Sequence, residues 1–132
     1  MVAYSFKPEF AGRILDGTKD QTIRAPRANG HVEPGKPLHL YVGMRTKHCR
    51  LILKTTCLEV LPIRLVFWPV VEIEISGEKL PPDDLAPFAI RDGFRSVAAM
   101  AAFWAETHGC SRREFSGFVI RWPRVIPEIG RP

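Results

Sequence analysis

Helical and strand-like periodicities follow one another in an irregular order along this chain, and that order restricts the fold more than any single motif does. Tyr4 to Phe6 has the alternation of a short strand. Pro8 sits where a first helical turn begins, and Phe10, Ala11, Ile14 and Leu15 recur at helical spacing until Gly17 ends the helix. "QTIR", 21–24, reads as a brief extended segment with Ile23 inward and Thr22 and Arg24 together on the opposite, accessible face. After the loop Ala25 to Pro37 come three strand-like runs, Leu38 to Val42, Leu51 to Val60 and Val66 to Ser76. In the last of these, Val71, Ile73 and Ile75 alternate with Glu72 and Glu74. Leu85, Phe88 and Ala89 predict a short helix capped by Asp83 or Asp84 and stopped by Gly93. A longer helix starts at Ser96 and keeps Val97, Met100, Ala101 and Trp104 on one core-facing stripe until Gly109, and Phe115 to Trp122 returns as a final strand to close the sheet. No regular βαβ alternation occurs, which disfavours a doubly wound sheet. The expected class is α+β: a small mixed, mostly antiparallel β-barrel with flanking helices.

With 132 residues and 45% hydrophobic content, residues 1–132 read as one domain able to bury a core of its own. The proline-rich segment Pro123 to Pro132 reads as a strap or a frayed end. "MVAYSFKPEF" lacks the apolar core of a signal peptide. The longest apolar run, Leu65 to Val71, is interrupted by Pro69 and is too short to span a bilayer, so the expected location is cytoplasmic with no membrane partner. Cys49, Cys57 and Cys110 are odd in number and lack C-x-x-C spacing, which predicts reduced thiols. His48 beside Cys49 and His108 near Cys110 do not have the spacing of a closed metal site, so neither metal nor cofactor is expected. The formal charge of +5 favours a polyanionic partner, with "RTKHCR" and "SRR" basic and "VEIEISGE" and "PPDDL" acidic.

The densest chemistry lies in "GTKDQTIRAPR", Gly17 to Arg27, where Lys19, Thr22, Arg24 and Arg27 crowd between a helix end and a proline-broken loop. Together with "PGKPLHLYVGMR", "CLEVLPI", "FAIRDGF" and "FSGFVIRW", this stretch resembles the ASCH domain family, relatives of the PUA-like RNA-binding domains. The most specific element is G-x-K-x-x-T-I-R, here Gly17, Lys19, Thr22, Ile23 and Arg24. The resemblance covers about nine-tenths of the chain in the expected order. It implies a PUA-like barrel of five or six strands with a cleft beside its helices, into which the signature Lys and Arg point. Family members bind RNA. One bacterial branch consists of ribonucleases, and another removes acyl groups from N4-acylated cytidine. That amidohydrolase branch uses a Lys, a Thr three residues later and a Glu before the second helical segment. Lys19 and Thr22 match the first two; the third falls on Asp92, one methylene shorter.

Three readings follow. For an amide on a base, Thr22 is the nucleophile, Lys19 with a lowered pKa its base, and Asp92 the group that orients Lys19 or carries the leaving amine's proton. The bland reading of Lys19 and Asp92 is a structural ion pair. For metal-independent cleavage of single-stranded RNA, the available groups are Lys19, Arg24, Tyr41, Arg45, Lys47 and Ser116. No histidine pair is visible, and Arg45 and Lys47 serve equally as phosphate clamps. For a pure binding module, Tyr41, Phe67 or Trp68 would stack an unpaired base, whereas Trp104 and Trp122 are assigned to the core, Phe94 to the cleft or its turn, and Arg27 to the surface. The expected partner is single-stranded RNA or a modified nucleoside.

Overall fold

The computed structural model describes residues 2–108 and 113–126. Cys110 and most of "SRR" lie outside the described residues, as does Gly109. The chain is a small α+β protein, mostly antiparallel. Strand β1 (Val2–Phe6) leads through a 3-10 turn at Pro8–Phe10 into helix α1 (Ala11–Leu15). Strands β2 (Gln21–Arg24), β3 (Pro37–Val42), β4 (Arg50–Thr56), β5 (Glu59–Val66), β6 (Glu72–Ile75) and β7 (Glu78–Lys79) follow. Helices α2 (Pro82–Arg91) and α3 (Val97–His108) and strand β8 (Glu114–Arg121) complete the order.

Two open sheets result. One, β1-β3-β4, is mixed, with β1 parallel to β3; the other, β2-β8-β5-β6-β7, is antiparallel throughout. The expected closed barrel is therefore not formed by strand pairing among the described residues. The final strand does not close a sheet but lies in the middle of one, between β2 and β5. Its neighbouring residues show why: Val119 and Ile120 point to opposite faces and are both fully buried, each in a different apolar cluster. One cluster joins Tyr4, Leu38, Leu40, Ile120 and Trp122 between the two sheets. The other joins Ile23, Ile63, Ile73 and Val119 to Phe88 of α2 and to Met100 and Trp104 of α3. The layers are thus helices, long sheet, short sheet.

Several expected boundaries move for identifiable reasons. The run Leu51 to Val60 is two strands in two sheets. At Cys57 the backbone still bonds to Lys36 beside β3, and one residue later Leu58 donates to Arg121 of β8. Val66 ends β5, and the connection through Pro69 carries Trp68 outward before β6 starts at Glu72. Helix α2 begins at Pro82, a residue with no amide hydrogen to leave unpaired, so Asp83 and Asp84 sit in the first turn without capping it. Helix α3 does have its cap: the Ser96 hydroxyl accepts from the Ala99 amide at 3.0 Å. Its stripe packs as expected, with Met100 and Trp104 buried and Val97 and Ala101 against the same cluster. Of the apolar residues at helical spacing, Phe10, Ala11 and Ile14 are buried and Leu15, the last residue of α1, is half exposed. Cys57 is buried and Cys49 exposed. The segment after Trp122 runs past the end of α1, where a side chain on Gly17 would lie 2.0 Å from the Val125 carbonyl oxygen. That part of the tail is a strap. Among the described residues, no helix is long and apolar enough to cross a membrane.

Candidate functional site

Residues 17–24 are stitched in place by backbone bonds that need no particular side chain. The Lys19 amide donates to the Arg13 carbonyl of α1 at 2.9 Å, and the Asp20 amide to the Arg91 carbonyl at the end of α2 at 3.1 Å. An ion pair between the Asp20 carboxylate and Arg91 at 2.8 Å repeats the second link. Gly17, with φ of 87°, turns the chain out of α1 so that Lys19 faces inward. Beyond it β2 pairs with β8, and Gln21, Thr22 and Ile23 are all buried. The face of Thr22 and Arg24, expected to be accessible, is turned into a cavity instead.

The cavity has a volume of about 360 Å³ and lies where β1, β2, the end of α2 and α3 meet. Lys19, Thr22, Arg24 and Asp92 all line it, which brings together the four residues that the motif and the "IRDGF" turn singled out. Its walls are aromatic: Phe6, Phe10, Phe94, Phe103, Trp104 and Phe115. Phe10 meets Phe94 and Phe103 edge-on at centroid distances of 5.6 and 5.9 Å, which fixes the ring that lies 5.0 Å from the Lys19 ammonium. Arg24 is held at both ends of its guanidinium: Nη2 donates to the Ser5 carbonyl at 2.7 Å and Nε to the Thr22 hydroxyl at 3.0 Å. The Thr22 oxygen therefore sits beside a fixed cation, a placement that favours its deprotonated form.

Lys19 and Asp92 do not form the structural ion pair of the bland reading. Lys19 Nζ donates to the backbone carbonyl of Asp92. The Asp92 carboxylate accepts instead from the Gln21 amide at 3.3 Å, and Gln21 in turn accepts from Arg121 at 3.0 Å. Because Arg121 only donates, its bond orients the Gln21 amide so that NH₂ faces Asp92. Gln21 and Arg121 were missed in the sequence; Gln21 stands inside the motif, but nothing in its spacing marks it.

Complete burial acts on both groups. Desolvation pushes Lys19 down to about 8, against the opposing field of Asp92, and pushes Asp92 up to about 6, against that of Lys19. The folded chain thus holds the Asp92 proton more tightly than the unfolded chain does. That contribution to stability is present in acid and lost as pH rises through about 6. For Lys19 the stabilisation is present above the ordinary lysine value and lost as pH falls through about 8. Asp92→Asn removes the first effect, so the melting temperature of the wild type relative to this variant is expected to increase when pH is lowered from 7 to 5. A difference that stays constant across that range would contradict the assignment.

The remaining candidates lie elsewhere. Tyr41 is on β3, half-buried and one strand across from cavity-lining Ser5, with which it pairs. Arg45 and Lys47 are exposed in the β3–β4 turn, and Ser116 is exposed on β8 opposite Arg64. None of these four lines the cavity. Of the proposed stacking residues, Trp68 is exposed and Phe67 buried. Phe94 does lean into the cavity, whereas Trp122 is core; Trp104 is buried and is also cavity wall. Arg27 is at the surface over the Tyr4 ring. Among the described residues, no three His, Cys, Asp or Glu side chains are grouped as metal ligands would be.

No family model, curated protein or solved structure matches this chain. Fold and geometry define it as a small α+β protein with an aromatic-walled cavity that holds a buried lysine and a buried aspartate.

Proposed function

We propose that the chain is an ASCH-type, PUA-like protein whose cavity receives a base from RNA or an RNA-derived nucleoside and hydrolyses an acyl amide on it. The observation that carries this reading is the convergence of Lys19, Thr22 and Asp92 in one cavity, with the amine's pKa lowered and the acid's raised. Support for the PUA-like assignment comes from the apolar cluster shared by the two sheets and from β4 passing into β5 after two residues. Flat aromatic walls suit a nucleobase, and about 360 Å³ is at the small end of ligand cavities.

In this reading Thr22 Oγ1 attacks the amide carbonyl carbon and its proton passes to neutral Lys19. Protonated Asp92 delivers a proton to the leaving amine nitrogen as the C–N bond breaks, leaving an acyl ester on Thr22. Water then attacks the ester, the Asp92 carboxylate takes the water's proton, and Lys19 returns its proton to the Thr22 oxygen as the carboxylic acid departs. The net reaction consumes one water. Ribonuclease chemistry has less support, because Tyr41, Arg45, Lys47 and Ser116 stay outside the cavity and only Lys19 and Arg24 of its proposed groups reach it.

Incubation of the purified chain with N4-acetylcytidine in the presence of a chelator, with acetate followed by proton NMR, tests the reading. Acetate release is expected. No release from the free nucleoside or from acetylated cytidine within an RNA strand would overturn it.

A further inference from the structure

Strand register sets three polar residues abreast in the long sheet. Gln21 of β2 lies opposite Arg121 of β8, and Arg121 lies opposite Glu59 of β5. Residues opposed across antiparallel strands share a face. Two positions along each strand, the same face carries Ile23, Val119 and Leu61, which belong to the apolar cluster packed on α2 and α3. A polar line therefore interrupts a face that is otherwise apolar, and at Gln21 it is fully buried. Folding alone does not call for it, because a buried polar group is desolvated at a cost that an apolar residue in its place does not incur.

The line runs from water to the cavity. At its outer end the Glu59 side chain is 44% exposed and accepts from Arg121 Nη1 at 2.8 Å. Arg121 Nε donates to Gln21 Oε1 at 3.0 Å, and Gln21 Nε2 donates to Asp92 Oδ1 at 3.3 Å. A guanidinium has no acceptor, so the amide cannot turn over without setting its NH₂ against Arg121. At the inner end Asp92 is part of the cavity wall, and its Oδ2 has no hydrogen bond among the described residues.

We propose that Gln21 and Arg121 are positioning residues for Asp92: they commit Oδ1 to accepting, so that the proton Asp92 carries resides on Oδ2, the oxygen left for the cavity. Neither residue lines the cavity itself. The use made of that proton, its delivery to the leaving amine, rests on the amide reading; its place on Oδ2 does not. Without Arg121 the Gln21 amide is free to turn. Its carbonyl would then accept a proton from Oδ1, which stabilises the neutral acid and takes the proton away from the cavity. The charged groups that act on Asp92 are Lys19, Arg24 and Arg121; with the bond from Gln21, all of them favour the carboxylate and oppose the burial that raises it to about 6.

NMR titration of the Asp92 side-chain carboxyl carbon tests this in the wild type, Gln21→Leu, Arg121→Met, Arg121→Lys and Glu59→Gln. The midpoint is expected to rise by about half a pH unit or more in Gln21→Leu and in Arg121→Met, each of which removes groups that favour the carboxylate. Arg121→Lys should bring it back toward the wild type, because an ammonium also only donates. Glu59→Gln should leave it in place, since Arg121 still orients the amide. Wild-type midpoints in both Gln21→Leu and Arg121→Met would overturn the proposal. So would an equal rise in Glu59→Gln, which would assign the effect to general loosening of the sheet. With N4-acetylcytidine as substrate, the pH–rate midpoint set by Asp92 should move together with the NMR midpoint. Shifted NMR midpoints without turnover by any of the five proteins would sink the amide chemistry alone, and turnover by the wild type with unshifted variant midpoints would sink the positioning role alone.

Discussion

Lys19→Met is expected to lower amide turnover by about 10² to 10⁴-fold while leaving the melting temperature almost unchanged. The loss of rate follows from the position of the amine: it lines the cavity, and burial lowers it to about 8, where it can take up a proton, whereas the Arg24 guanidinium, though also lowered by burial, serves only as a cation. The small stability effect is less obvious, since removing one of two buried ionisable groups usually leaves an uncompensated charge. Here burial is the largest influence on both groups, and Lys19 is what holds the Asp92 value down to about 6. Without Lys19, Asp92 becomes a weaker acid and stays neutral near pH 7, so no orphaned charge remains. The Asp92 carbonyl loses its donor, at a cost of about 1 kcal/mol, which is offset by no longer desolvating an ammonium. Titration of the Asp92 side-chain carbon by NMR should show its midpoint moving up in the variant. Lys19→Arg should keep ligand affinity and lose turnover, because a guanidinium does not release its proton near neutral pH. Full activity of Lys19→Met on acylated nucleoside and acylated RNA would remove the stretch 17–24 from the functional site.

How far this site could be read in the sequence depends on whether local rules or tertiary contacts decide a residue's environment. Gly17, Lys19, Thr22 and Arg24 were legible because they follow one another in a short motif, and strand alternation alone puts Thr22 and Arg24 on one side of β2. Asp92 came from the turn at the end of a helix whose stop signal, Gly93, is local. What alternation does not reveal is which side meets water. The Thr22 face was expected to be accessible, but α3 and β1 roof it over, and a four-residue strand gives no periodicity long enough to show that. Gln21 and Arg121 were invisible for the same reason: their role arises from the pairing of β2 with β8, one hundred residues apart. The break inside Leu51 to Val60 was missed because both halves are good strand sequence. Only the exchange of partners at Cys57 and Leu58 separates them, and partner choice is not encoded locally. Of the aromatic walls, Trp104 was expected in the core, which it also joins, because it packs in the cluster on the long sheet while lining the cavity; Phe94 was expected at the cleft or its turn.

Gly93→Ala should lower the melting temperature by about 10 °C and reduce turnover along with it. Gly93 follows α2 with φ of 100°, a conformation that costs a residue bearing a Cβ about 1 kcal/mol or more. The new methyl would also lie 2.7 Å from Lys19 Cδ and 2.9 Å from Phe10 Cδ1. The lysine stem can bend away, which displaces Nζ from the Asp92 carbonyl and accounts for the loss of activity. The phenylalanine ring has no such freedom, because Phe94 and Phe103 hold it edge-on, so overpacking adds about 1 to 3 kcal/mol. If the ring contact is the main cause, the two positions must be coupled. Phe10→Leu is expected to destabilise the wild type but to cost at least about 0.5 kcal/mol less in the Gly93→Ala background, where it removes the collision as well as the packing. Denaturant melts of the four proteins measure that cycle. Additive effects would assign the damage to backbone strain alone, and an unchanged melting temperature for Gly93→Ala would mean that the cavity floor beneath Lys19 is not packed as described.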